Sequence, residues 1–299
     1  MTPSYLELHK QGLLEKRAQE AIKRLGSCNL CPWLCKIDRT GADANGTCRT
    51  GRYAKIASYN SHFGEESSLV GWGGSGTIFF SSCNMHCVFC QNYEISQLRE
   101  GHTVNAEQLA EIMLKLQEVG CHNINFVSPS HVVAQILEAL VIAAERGLTI
   151  PLVYNTGGYD SIPTLRLLDG VIDIYMPDIK YMDAATALLL SGVKGYPQVV
   201  KAAITEMHRQ VGDLVIDDNG VAVRGLLVRH LVLPENLAGT ADAMEFLAKK
   251  ISRQTCVNVM DQYYPSHKAS KYPPMDRRIT QDEFENAVSD AKKAGLRIL

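Results

Sequence analysis

The residues with the most chemical potential in this chain are Cys83, Cys87 and Cys90. They are spaced C-x3-C-x2-C in the loop Cys83-Asn84-Met85-His86-Cys87-Val88-Phe89-Cys90, directly after the apolar run Gly76-Thr77-Ile78-Phe79-Phe80. Thiolates are soft ligands that favour zinc, copper(I) or iron–sulfur clusters. Three on one loop are one short of the four that close a structural site, so a coordination position stays open. A four-iron cluster held by three cysteines keeps one iron free for a substrate or cofactor, which points to chemistry over scaffolding. The competing reading is a zinc site completed by a ligand elsewhere.

A second group, Cys28, Cys31, Cys35 and Cys48, has the pattern C-x2-C-x3-C-x12-C. Four soft ligands so close together can close a tetrahedral zinc site or hold an iron–sulfur cluster. Zinc is slightly favoured, and the spacing leaves both open. The segment has few apolar residues, so a metal would drive its local folding. The nine cysteines are odd in number and seven fall in these two groups, which argues against a disulfide framework. Cys121 and Cys256 read as small buried thiols at strand starts.

The elements that must position these groups alternate between strand and helix. Apolar strands are expected at 76–80, 123–127, 150–154, 172–176, 226–233 and 257–260. Between them run amphipathic stretches, one opened by Asn105 and Gln108 with Leu109, Ile112, Met113, Leu116 and Val119 on its stripe, and a last one opened by Thr280 and Glu283. A helix is expected over 4–25 with Leu6, Leu13, Ala18, Ile22 and Leu25 inward, and Asp217-Asp218-Asn219-Gly220 suits a hairpin turn. Residues 52–75 read as irregular or short strand. Their glycines lack the Lys-Ser/Thr of a nucleotide loop and predict close backbone approach to the cysteine loop. Six β/α units imply an α/β fold, a partial (β/α)6 TIM-type barrel with an N-terminal cysteine-rich extension.

In such a fold, ligands gather at the carboxyl ends of the strands. Those ends carry Ser128, Ser130 and His131; Asn155 and Thr156; Asp178 and Lys180; Arg229 and His230; and Asp261, Gln262 and Tyr263. Taken singly, each is more often a cap or turn former. Together with the cysteine loop they outline one mouth. Asp178 and Lys180 share a face of an extended segment and could pair or grip one ligand.

The 299 residues suffice for a single barrel, and 46% hydrophobic with 21% charged residues is ordinary for a globular protein. A formal net charge of -2 argues against a general nucleic-acid or polybasic membrane binder. Residues 1–26 carry charges throughout, and no apolar run approaches the roughly 18 residues of a membrane span. A cytoplasmic location is expected.

Cys83, Cys87 and Cys90, with Phe89 before the third cysteine, resemble the signature of radical S-adenosylmethionine enzymes. The strings Gly74–Asn84 and Cys90–Ser96 resemble the branch of that superfamily similar to pyruvate formate-lyase activating enzymes. Further strings of the same branch are Val127-Ser128-Pro129-Ser130-His131, Tyr154-Asn155-Thr156-Gly157-Gly158-Tyr159, Met176-Pro177-Asp178-Ile179-Lys180, Arg229-His230-Leu231-Val232-Leu233-Pro234 and Gln262-Tyr263-Tyr264-Pro265. The resemblance implies that Cys83, Cys87 and Cys90 hold a four-iron, four-sulfur cluster whose fourth iron binds S-adenosylmethionine. One electron would then cleave it to methionine and a 5′-deoxyadenosyl radical that takes a hydrogen atom from the substrate.

The same resemblance places Phe89 near the adenine, Lys180 on the cofactor side, and Asn155, Thr156, Met176 and Asp178 where activating enzymes bind a monovalent cation. Asn155 departs from the aspartate of that pattern. The Gly-Gly-Glu segment that receives the methionine amino group is absent after the second strand, where Ser128, Pro129, Ser130 and His131 stand. Arg229 and Gln262 complete the expected cofactor-side set. Residues 1–52 are expected to be a helix and four-cysteine metal-binding segment, and 53–299 the barrel with its C-terminal helix. The expected activity is an oxidoreductase of activating-enzyme type on a protein or peptide, glycyl radical installation included, served by a low-potential donor such as a flavodoxin or ferredoxin. Radical chemistry on a small metabolite, or a non-catalytic metal scaffold, are the alternatives.

Overall fold

The computed structural model describes residues 2–42 and 44–299. Its strands are β1 (Ala54–His62), β2 (Ser75–Phe80), β3 (His102–Val104), β4 (Ile124–Val127), β5 (Leu152–Thr156), β6 (Ile174–Pro177), β7 (Val215–Ile216), β8 (Ala222–Leu231), β9 (Cys256–Met260) and β10 (Arg297–Ile298). They form one sheet in the order β10-β9-β8-β6-β5-β4-β2-β1-β3, with β7 paired to β8. The run β2-β4-β5-β6-β8-β9 is parallel and corresponds to the six expected strands. This is the mixed α/β fold of a partial barrel, with the cysteine-rich segment before it.

The parallel strands are apolar on both faces because each face has its own core. Ile124, Phe126, Tyr154, Tyr175 and Val228 join the large core with Met113, Leu137, Leu140 and Met207 of the covering helices. Their neighbours Val153, Ile174, Met176, Leu227 and Cys256 form a second core inside the curve of the sheet. Adjacent residues thus go to opposite cores with the period of 2 that a strand imposes.

What fills the inner core was not expected from the sequence. Leu69, from the short helix Ser67–Val70, packs among those inner side chains. Asn123 Nδ2 donates to Leu69 O at 2.9 Å, and Asn258 Nδ2 donates to the Glu66 carboxylate at 3.0 Å. The segment from 63 to 74 therefore lies across the inner face. Its glycines do not approach the cysteine loop. Gly71 and Gly73 pack against His122 and the Gly120 carbonyl instead, where a Cβ on Gly71 would meet the His122 ring at 2.7 Å.

Strand β1 was hidden because only its first residues are buried, so its apolar signal ends after Ile56. It pairs antiparallel with β2 and β3. The expected N-terminal helix is two, Tyr5–Lys10 and Leu13–Lys23, broken at Gly12 with φ +66. The break turns Tyr5, Leu14, Ala18, Ala21 and Leu25 into the core and leaves Leu6, Leu13 and Ile22 half-buried. Val119 falls at the C-cap of the helix Ala106–Glu118 and is 59% exposed, off the expected stripe. Both capping boxes, Asn105 with Gln108 and Thr280 with Glu283, are formed. No helix among the described residues is long and apolar enough to cross a membrane.

Candidate active site

The cysteine loop leaves β2 through Ser81 and Ser82, the latter at φ +73, with Ser82 N donating to Ile95 O at 2.8 Å. Two further elements hold it. His86 N and Val88 N donate to Ser191 O (3.0 Å) and Leu190 O (2.8 Å), and Lys268 N donates to Val88 O at 2.8 Å. The sulfurs are individually positioned: Ser191 Oγ donates to Cys87 Sγ at 3.0 Å, Met85 N to Cys83 Sγ at 3.4 Å, and Ser96 Oγ lies 3.2 Å from Cys90 Sγ. Cys87 is buried, and Cys83 and Cys90 are half-buried. Burial pushes the Cys83 thiol up to about 12 and the Cys87 thiol up to about 11, with the nearby Lys180 ammonium pulling the other way. A soft cation would reverse this, since thiolate binding to metal displaces the proton.

Beside the loop, the strand-end residues divide into two networks. In the first, Asp178 accepts from Lys180 Nζ at 2.6 Å and from Arg229 Nε at 2.8 Å, and Arg229 Nη2 donates to Asn155 Oδ1 at 2.8 Å. Arg229 also faces Glu65 at 3.6 Å and Glu66 at 4.0 Å. Burial alone would raise the Asp178 carboxyl, but Arg229 and Lys180 outweigh it and hold it below the usual range. For Lys180, burial is outweighed by Asp178 and Cys87, so its ammonium is held charged.

The second network is internal. Thr156 Oγ1 donates to Asp160 at 2.6 Å, Tyr154 OH donates to the other Asp160 oxygen at 2.9 Å, and Ser130 Oγ lies 3.0 Å from Thr156 Oγ1. The hydroxyls of Ser130 and Thr156 are thus engaged on a buried carboxylate. His131 is buried too: Nε2 lies 3.1 Å from Ser81 O, and burial with the neighbouring Arg39 lowers it to about 4, so it is a neutral imidazole. Ser128 takes a left-handed conformation, φ +58, and its N–H donates to Asn155 O at 2.8 Å. Phe89 is 5% exposed, edge-on to Tyr181 and Tyr263 at 6.4 and 5.8 Å. Gln262 is exposed, and its carbonyl accepts from Gln91 at 3.1 Å.

The N-terminal cysteines form a tight knuckle. Lys36 N donates to Cys28 O and Cys28 N to Ile37 O, both at 2.9 Å, and Leu34, Lys36 and Arg49 adopt positive φ. Burial pushes the Cys31 thiol up to about 12, with Cys48, Cys28 and Cys35 close enough to add to the effect. Arg39, 1% exposed, donates to Cys28 Sγ at 3.4 Å, Thr50 O at 2.6 Å and His131 O at 2.7 Å. Trp33 Nε1 donates to Asn84 O at 2.7 Å, tying this segment to the cysteine loop. No group of three or more His, Cys, Asp or Glu side chains among the described residues is gathered as a single metal ion would require.

Sequence reasoning missed Glu65, Glu66, Asn125, Asp160, Ser191 and Arg39. Only their burial marks them, and the sequence does not state burial of a polar residue. Burial raises Glu65 to about 7, with Arg229 opposing and Glu66 and Asp178 adding. A carboxyl raised on folding binds its proton more tightly in the folded state, so its contribution is full below the ordinary carboxylate range and is lost as pH rises through about 7. Glu65→Gln is therefore expected to flatten the loss of stability between about pH 4.5 and 7, read by urea melts across that window. An unchanged pH slope would contradict the burial argument.

A parallel sheet curved around an inner core, with a three-cysteine loop at the carboxyl end of its first parallel strand, is the architecture of a recognised enzyme class. The model of the radical SAM superfamily matches residues 77–247, more than half of the chain. An uncharacterized protein of Methanocaldococcus jannaschii is 33% identical over 307 residues, covering 98% of this chain and 82% of its own. The chain belongs to the radical SAM superfamily, whose members use a four-iron, four-sulfur cluster and S-adenosylmethionine. Among solved structures, a radical SAM methyltransferase from Sphaerobacter thermophilus is similar with TM-score 0.50 and 13% identity, over 75% of this chain and 65% of that one. Streptococcus suis SuiB, solved with its precursor peptide SuiA, has TM-score 0.49 and 12% identity, over 73% of this chain and 46% of its own.

Proposed function

We propose that this protein is a radical S-adenosylmethionine enzyme of activating-enzyme type that acts on a protein or peptide, with Cys83, Cys87 and Cys90 as the cluster ligands. The observation that carries the reading is the open ligand set: three cysteines on one loop, with Cys28, Cys31, Cys35 and Cys48 in a separate segment that has its own backbone bonds. The three sulfurs fit a cluster, since each has an N–H or hydroxyl neighbour of the kind that tunes iron-bound thiolates. When bound, the cluster supplies the electron that cleaves S-adenosylmethionine to methionine and the 5′-deoxyadenosyl radical. The chain's own residues then have distinct tasks. Lys180 and Arg229 place positive charge beside the loop, Asp178 orients both, and Phe89 with Tyr181 and Tyr263 forms a dry aromatic wall. Asn155, Ser128 and Gln262 complete the mouth, and Thr156, Ser130 and His131 are packed behind it.

Residues 1–52 form the proposed second metal-binding segment and 53–299 the barrel. A second centre fits the buried Arg39, whose bonds among the described residues go to Cys28 Sγ and two carbonyls and to no carboxylate. A buried guanidinium without a counter-charge is strongly unfavourable, and a metal tetrathiolate, zinc or iron–sulfur, provides that charge. A low-potential flavodoxin or ferredoxin is the proposed electron source.

A second reading, a small metabolite as substrate, is favoured by the polar inner face. Glu66 Oε2 and both side-chain polar atoms of Asn125 are buried there without a hydrogen-bond partner, which suits a small polar guest. Anaerobic reconstitution and reduction with S-adenosylmethionine is expected to give 5′-deoxyadenosine. A cluster-loaded, reduced protein that forms none, with or without candidate peptides and small molecules, would overturn the radical assignment.

A further inference from the structure

A cavity of about 330 Å³ opens beside Ser82 at the start of the cysteine loop, lined by none of the inner-core residues. Three separate parts of the chain wall it: Arg49 and Thr50 of the N-terminal knuckle, Lys55 of β1 with Thr103 of β3, and Ser82 and Arg99 on either side of the cysteine loop. Three of these side chains are cationic and three carry hydroxyls. No carboxylate lines the cavity among the described residues. Like charges converge at a cost in self-repulsion, so the gathering of three cations is informative.

The backbone adds a second, independent sign. Arg49 (φ +51), Ser82 (φ +73) and Arg99 (φ +62) all sit in the left-handed region that favours glycine. Residues held there against their preference persist where their side chains are needed, and such strain gathers at ligand sites. Lys55 Nζ donates to Arg99 O at 2.6 Å, which fixes the ammonium against the Arg99 turn and leaves two of its N–H groups without a partner among the described residues. The guanidinium groups of Arg49 and Arg99 form no ion pair among the described residues.

We propose that this cavity binds the phosphate group of a small molecule. Two guanidinium forks, an ammonium and several hydroxyls match a dianion rich in acceptor oxygens better than a single carboxylate. An occupant would touch Ser82, the residue before Cys83, and bridge the N-terminal knuckle to the cysteine loop. The site lies outside the residues assigned to the radical chemistry, so it stands or falls separately from that reading.

The test is calorimetric titration of the full-length, anaerobically reconstituted protein with inorganic phosphate, ribose 5-phosphate and acetate at constant ionic strength. Binding of either phosphate compound, with acetate at least about tenfold weaker, is expected. Ribose 5-phosphate binding more tightly than phosphate assigns an organic phosphate; equal binding assigns the free ion. The double variant Arg49→Asn/Arg99→Asn, chosen because asparagine tolerates positive φ, should weaken binding by about tenfold or more with an unchanged melting midpoint. In the wild-type protein, phosphate should also protect Arg49 and Arg99 from phenylglyoxal, read by peptide mass mapping, which needs no variant. No binding of either phosphate compound, undiminished binding by the double variant, or no protection of these arginines would each overturn the proposal.

Discussion

Replacing Cys87 by alanine is expected to reduce 5′-deoxyadenosine formation to background while leaving any metal bound by the N-terminal four-cysteine segment in place. Cys87 is the most enclosed of the three loop cysteines, with its sulfur held by Ser191 Oγ at 3.0 Å. Loss of this sulfur leaves two ligands on the loop, too few to hold a four-iron cluster. The fold should survive, because the loop is fastened mainly by backbone bonds from His86, Val88 and Lys268. The measurement pairs product analysis with metal content per chain and a melting curve. Retained cleavage of S-adenosylmethionine at wild-type rate would sink the ligand assignment, and loss of all metal would show that the two cysteine groups are not independent.

Arg229→Met should have the largest effect on stability, about 3–5 kcal/mol, because it removes the central cation from a buried acidic group. Asp178, Glu65 and Glu66 all face this guanidinium, and their side chains are only 11%, 8% and 4% exposed. Lys180 would remain to balance Asp178 at 2.6 Å, leaving the two glutamates without their cation. A fall in melting midpoint on the order of 10 °C is expected. Adding Glu65→Gln and Glu66→Gln to the variant should restore part of it. A midpoint within experimental error of wild type would show that the network is not a charge balance.

The strand–helix alternation and the cysteine loop could be read from the chain because both are local signals. Periods of 2 and 3.6, capping boxes and ligand spacing span only a few residues each. Asp178, Lys180, Asn155 and Arg229 were reachable by one step more, the placement of strand ends at one mouth. Their bonds to one another follow from the register of β5, β6 and β8. The inner-face segment was not legible in the same way. Glu65 and Glu66 lie in a glycine-rich stretch that gives no periodic signal, and their burial depends on Arg229, more than 160 residues later. Arg39 was hidden for the same reason, since arginine normally stays at the surface. The break at Gly12 was visible as a glycine, yet its left-handed turn required the packing of Tyr5 against the barrel.

The bond from Trp33 to Asn84 bears on how the molecule is assembled. It joins residues 51 apart in sequence, Arg39 reaches His131 across 92, and Ser4 reaches Asp173 across 169. Contacts of such high sequence separation form late, because the intervening chain must be ordered before they can close. The cysteine knuckle leaves the ribosome ahead of every strand it will lean on. Its own short-range bonds, Lys36 to Cys28 and Leu34 to Cys31, can form at once. The knuckle's local turns can therefore form before any strand is in place, while its docking through Trp33 and Arg39 waits for the barrel.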